Sequence, residues 1–107
     1  MTEEHTYRVL VRGRFTELDD EGRARLRAVA GEHDMLAAGF TEAGSLAYDH
    51  ALDFFSFRVE LPAEAEKAAC ERGKARAAAA VDGLGVDFRD LKASATDMDL
   101  IKVRRRR

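Results

Sequence analysis

Apolar and polar residues alternate most strictly over residues 53–61, Asp-Phe-Phe-Ser-Phe-Arg-Val-Glu-Leu. Phe55, Phe57, Val59 and Leu61 fall on one side, and Phe54, Ser56, Arg58 and Glu60 on the other. That is the period of a strand with one buried and one mixed face. The stretch holds three of the six Phe residues, which predicts the central strand. Residues 7–15 repeat the pattern, with Tyr7, Val9, Val11, Gly13 and Phe15 opposite Arg8, Leu10, Arg12 and Arg14. Residues 91–98 place Leu91, Ala93 and Ala95 inward and Lys92, Ser94, Thr96 and Met98 outward. A shorter strand is expected over 45–49. Between 35 and 49 the pattern leaves two options, one bulged strand or a small hairpin turning at Glu42-Ala43-Gly44.

Helical spacing appears twice. Gly22, Leu26, Val29, Ala30 and His33 form one stripe after Asp19, Asp20 and Glu21, carboxylates suited to a helix N-terminus; this predicts a helix over 20–32. Pro62 is expected to end the central strand and open a second helix over 63–82. Its stripe, Ala69, Cys70, Gly73, Ala77, Ala80, Val81 and Leu84, is built of small residues, so this helix must lie close on a sheet. Gly83 and Gly85 stop it. Strand, helix, strand, strand, helix, strand is the α+β order of a ferredoxin-like βαββαβ fold, a four-stranded antiparallel sheet with both helices on one face. Residues 1–107 read as one such domain, with 1–6 and 104–107 expected to be flexible.

Composition narrows the class. The chain is 46% hydrophobic and 36% charged with one Pro, a globular rather than disordered balance. No apolar run reaches the ~20 residues of a membrane span, and the polar, acidic N-terminus does not read as a signal peptide. The single Cys70 excludes an internal disulfide, and cytoplasm is the expected compartment. The net charge of −2 conceals a tail, Arg104 to Arg107, which contributes +4 and leaves −6 on residues 1–103. An acidic body does not favour nucleic acid as partner.

If the helices cover the apolar face, the other face presents Arg8, Leu10, Arg12, Arg14, Phe54, Ser56, Arg58, Glu60, Lys92, Ser94, Thr96 and Met98. Leu10, Phe54 and Met98 make it a candidate homodimer interface. Arg12, Arg58 and Asp97 are candidate ligand-binding residues for a small anionic metabolite, Asp97 at a strand end where an arginine could also pair with it. Tyr48, His50 and Asp53, with Asp49, put a phenol, an imidazole and carboxylates in one turn and are weak catalytic candidates for proton transfer. His33-Asp34, His50-Asp53 and Asp97-Asp99 lack metal-site spacing, and no metal or cofactor is expected. Cys70 reads as core. Phe55-Ser56-Phe57 has the look of a base-stacking strand, but only Phe54 would face outward, which argues against RNA.

The segments Tyr7-Arg8-Val9, Val11-Arg12-Gly13-Arg14-Phe15, Tyr48-Asp49, Ala51-Leu52-Asp53-Phe54-Phe55-Ser56-Phe57-Arg58 and Ala93-Ser94-Ala95-Thr96-Asp97-Met98 resemble a family of small actinobacterial proteins of unknown function. The resemblance spans nearly the whole chain and transfers no catalytic residue. At fold level it is similar to dimeric α+β barrel proteins, among them small monooxygenases and polyketide-modifying enzymes, an analogy that carries no function. The expectation is a homodimeric module binding a small polar or anionic metabolite. Whether it also transforms that metabolite is open, and no redox cofactor is implied. The alternatives are a protein–protein interaction module without pocket chemistry and, third, an RNA-binding module.

Overall fold

The alternation over 53–61 becomes strand β3 (Phe54–Ala63) in a computed structural model that describes residues 4–33 and 39–100. β1 is His5–Phe15, α1 is Asp20–Ala28, β2 is Ser45–Tyr48, α2 is Glu66–Asp82 and β4 is Phe88–Asp97; a 3-10 turn, Ala30–His33, follows α1. All strand pairs are antiparallel, in the order β2-β3-β1-β4. The molecule is an α+β protein with a four-stranded open sheet. Tyr7, Val9, Val11, Phe55, Phe57, Val59 and Leu61 are buried together on one face, as their alternation requires.

Pro62 does not end the central strand. It pairs with Thr6 of β1, and the strand runs on to Ala63. In an antiparallel strand, alternate residues direct their polar groups to the same edge. The Glu60 amide donates to the Thr41 carbonyl at 2.8 Å, on the edge away from β1. Pro62 therefore turns its hydrogen-free nitrogen to that edge as well, and the β1–β3 ladder loses nothing. Its carbonyl accepts from Arg72 Nη1 at 2.6 Å. As a result α2 starts at Glu66 rather than 63. His5 and Thr6, expected to be loose, are the start of β1; residues 1–3 and 101–107, and with them the Arg tail, lie outside the described residues.

Both helices cover the apolar face. The small-residue stripe of α2, Ala69, Gly73, Ala77 and Val81, is buried, and Gly73 sits so near β1 that a Cβ there would lie 2.5 Å from Val9 Cγ1. Asp19 caps α1, accepting from the Gly22 amide at 2.7 Å. α1 is shorter than its periodicity: it ends at Ala28, and Ala30 and His33 continue in the 3-10 turn. Gly22 rests on Leu18 and Val86 rather than on the sheet. Arg25 reaches across to the carbonyls of Leu84 and Gly85, tying α1 to the end of α2. Part of the 35–49 stretch, for which the alternation leaves a bulged strand or a small hairpin, lies outside the described residues. Among the described residues there is one four-residue strand, preceded by a single parallel bridge from Thr41 to Val59; residues 34–38 lie outside them. Gly44 begins β2's approach at φ +92°, above the Phe57 ring, a backbone that glycine adopts at little cost.

β4 starts three residues earlier than its alternation, because Phe88 packs against the core and Asp90 adopts φ 59° where the β1–β4 register shifts near Arg12 and Arg14. It ends at Asp97. Met98 therefore leaves the sheet and enters a helical turn at residues 98–100.

Candidate functional site

The uncovered face of the sheet holds the chemistry that its register brings together. Arg12 stands opposite Ser56 of β3 and Lys92 of β4, and Arg58 stands opposite Leu10 and Ser45. Arg12 and Lys92 are like charges in a directly opposed pair, an arrangement unfavourable by roughly 0.2–1 kcal/mol. Glu60, on the same face, is taken by Arg8 at 3.2 Å. Arg58 Nη1 donates to the Ser56 hydroxyl at 3.4 Å. Among the described residues, Arg12, Arg58 and Lys92 make no ion pair within 4.0 Å. A pocket of about 300 Å³ lies beside Arg12, and its wall also includes Asp49, Phe54 and Ser56. Phe54 is 53% exposed, its ring carrying the Arg14 guanidinium at 4.9 Å. Leu10 is only half-buried, so among the described residues Phe54 is the exposed large hydrophobic side chain of this sheet face.

Asp97 does not join Arg12 and Arg58. It pairs in register with Tyr7, on the helix-covered face, and β1 separates its strand from β3. Its carboxylate is already engaged: Oδ2 lies 2.6 Å from His5 Nδ1, and Oδ1 accepts from the amides of Asp99 at 3.0 Å and Leu100 at 3.3 Å. Burial alone would raise this carboxyl, but the bonds from His5 and the two amides outweigh it and hold the pKa below its ordinary value. The same carboxylate, after burial, raises the Tyr7 phenol. His5, Asp97 and Asp99 bring their ligand atoms within 4.8 Å of one another, a grouping no sequence spacing announces because His5 is 92 positions away. Asp97 serves there as the cap of the turn at 98–100.

The turn before β3 separates its catalytic candidates. Tyr48 is buried on the core face, where its hydroxyl donates to the Leu26 carbonyl and meets His33 Nδ1 at 3.1 Å. Burial, helped by the Glu32 carboxylate, raises its pKa and keeps it a proton donor. Asp49 Oδ1 accepts from the amides of Asp53 at 3.0 Å and Phe54 at 3.4 Å, an Asx-type closure of the turn. His50 and Asp53 are both exposed. The phenol is thus buried while the imidazole stands in solvent, and no hydrogen bond joins the Tyr48, His50 and Asp53 side chains among the described residues. Cys70 is half-buried on α2, and burial pushes its thiol up, away from nucleophilic character.

Fold and site together define a small α+β protein with a cationic open sheet face and no assembled catalytic set among the described residues. The chain belongs to a family of unknown function, DUF6204, which it matches over residues 1–107. No curated protein and no solved structure matches it.

Proposed function

We propose that this protein binds a small polar or anionic metabolite on its uncovered sheet face, as a homodimer closing over that face. The observation that supports it is the set of Arg12, Arg58 and Lys92 on three neighbouring strands of one face, none of which makes an ion pair among the described residues. A fold does not keep opposed like charges for stability; a bound oxyanion held by guanidinium groups would offset them. The element order and the strand order β2-β3-β1-β4 support a ferredoxin-like winding, with an open face free to meet a second copy. Two such faces would repel each other unless an anion lies between them, so ligand and dimer are expected to be linked. The proposal is for binding: Tyr48, His50 and Asp53 do not converge.

Thermal melts of wild type and Arg58→Ala, with and without sulfate or phosphate, test it. An anion at ten times its Kd should add about 1.4 kcal/mol, a rise of roughly 5–10 °C for a domain of this size. In Arg58→Ala the gain should shrink, while the anion-free melt stays the same or rises. A wild-type melt indifferent to anions, beside a strongly destabilised variant, would make Arg58 a structural residue and sink the proposal.

A further inference from the structure

At the end of the sheet, where β1 finishes and β3 and β4 begin, three arginines from three elements line one cleft. Its volume is about 480 Å³, and Arg14, Arg23, Arg89, Glu17, Leu52 and Asp53 lie in its wall. Arg14 and Arg89 are directly opposed on β1 and β4, a second like-charge cross-strand pair. Arg23 is delivered from the first turn of α1, whose position the Asp19 cap sets.

Backbone strain gathers around the same cleft. Among the described residues, only Leu52 and Asp90 combine a side chain with positive φ, at 62° and 59°. Leu52 lines the cleft, and Asp90 adjoins Arg89 at the irregularity in the β1–β4 register. A leucine in that region is a costly choice, and strain of this kind concentrates at binding sites. The irregularity also re-aims the side chains beside it.

Charges of both signs meet here without neutralising one another. Arg14 and Arg23 make no ion pair among the described residues, and Arg89 reaches only its neighbour Asp90, at 3.8 Å. Glu17 and Asp53 share the wall, and among the described residues neither carboxylate makes an ion pair with the three arginines. Such spacing suits a molecule that carries an oxyanion for the guanidinium groups and hydroxyl donors for a carboxylate.

We infer that this cleft, which meets the open face at Arg14, is a second binding site, for a hydroxylated phosphomonoester. Arg14, Arg23 and Arg89 hold the phosphate, and Asp53 accepts from a hydroxyl. A ¹H–¹⁵N NMR titration with inorganic phosphate and with glycerol 3-phosphate tests this directly. Both should shift the amides of Thr16, Glu17, Asp53 and Arg89, with glycerol 3-phosphate binding the more tightly. Arg23→Ala combined with Arg89→Ala should weaken both at least tenfold, and single Arg23→Gln should weaken them in the same direction. Asp53→Asn should erase the preference for glycerol 3-phosphate and keep phosphate binding. Arg58→Ala should leave these shifts intact, whatever it does to the amides of Arg12 and Lys92. Equal shifts with sodium chloride at matched ionic strength would overturn the inference, as would shifts confined to the open face.

Discussion

His5 and Asp97 show how one carboxylate can be structural at one pH and absent from the balance at another. The Asp97 pKa is lowered in the fold by His5 and by two backbone amides. Between the folded value and the ordinary value of about 3.9, the unfolded chain binds the extra proton. The contribution is therefore fully present above about pH 4 and is lost as pH falls through the lower folded value. Asp97→Asn should be less stable than wild type at pH 7, and the gap should close as pH falls through the lowered folded value. Denaturant unfolding at a series of pH values measures it; a gap independent of pH would mean that the carboxylate's charge does not matter. The Asp97 assignment was half legible in sequence: its place at a strand end is plain from the alternation. Its face and its partner were not, since both depend on register against Tyr7 and His5.

α2 illustrates packing set by small side chains. Ala69, Gly73, Ala77 and Val81 recur every four residues and lie along one buried line. Substituting Gly73 by Ala gains about 1 kcal/mol of helix propensity. It also drives a methyl to 2.5 Å from Val9 Cγ1, and overpacking of this kind costs typically 1–3 kcal/mol. The second effect should win: Gly73→Ala is expected to destabilise by up to about 2 kcal/mol, and Gly73→Val by more. Chemical denaturation gives the difference. A stabilised Gly73→Ala would show that α2 can move off the sheet at little cost. This stripe was readable from spacing alone, because a helix repeats its face whatever it packs on. Pro62 was not: its consequence depends on which edge of β3 its nitrogen faces, and that edge exists only once Thr41 and β1 are in place.

For the whole molecule, the open question is what meets the uncovered face. Leu10, Phe54 and Met98 suggested an apolar patch, but Met98 has left the sheet and Leu10 is half-buried, which leaves Phe54 beside a row of cations. A dimer across this face should thus depend on anions as much as on apolar contact. Sedimentation at high micromolar concentration in phosphate should give twice the monomer mass of 11.9 kDa. Phe54→Arg should return it to the monomer with helical circular dichroism unchanged. A wild-type monomer under those conditions removes the dimer from the proposed function.

Periodicity by itself determined the four strands, the two helices, the identity of the buried face and the cations of the open one. These follow from local geometry, since a side chain's face is set by its position in a strand or helix. Tertiary structure alone decided which cations stand opposed, that Glu60 is spent on Arg8, and that Tyr48 and His50 part company. It also decided that Arg14, Arg23 and Arg89 share a cleft. Those are relations between residues far apart in the chain, fixed by strand order and register. The spacing of residues along one segment carries no record of them.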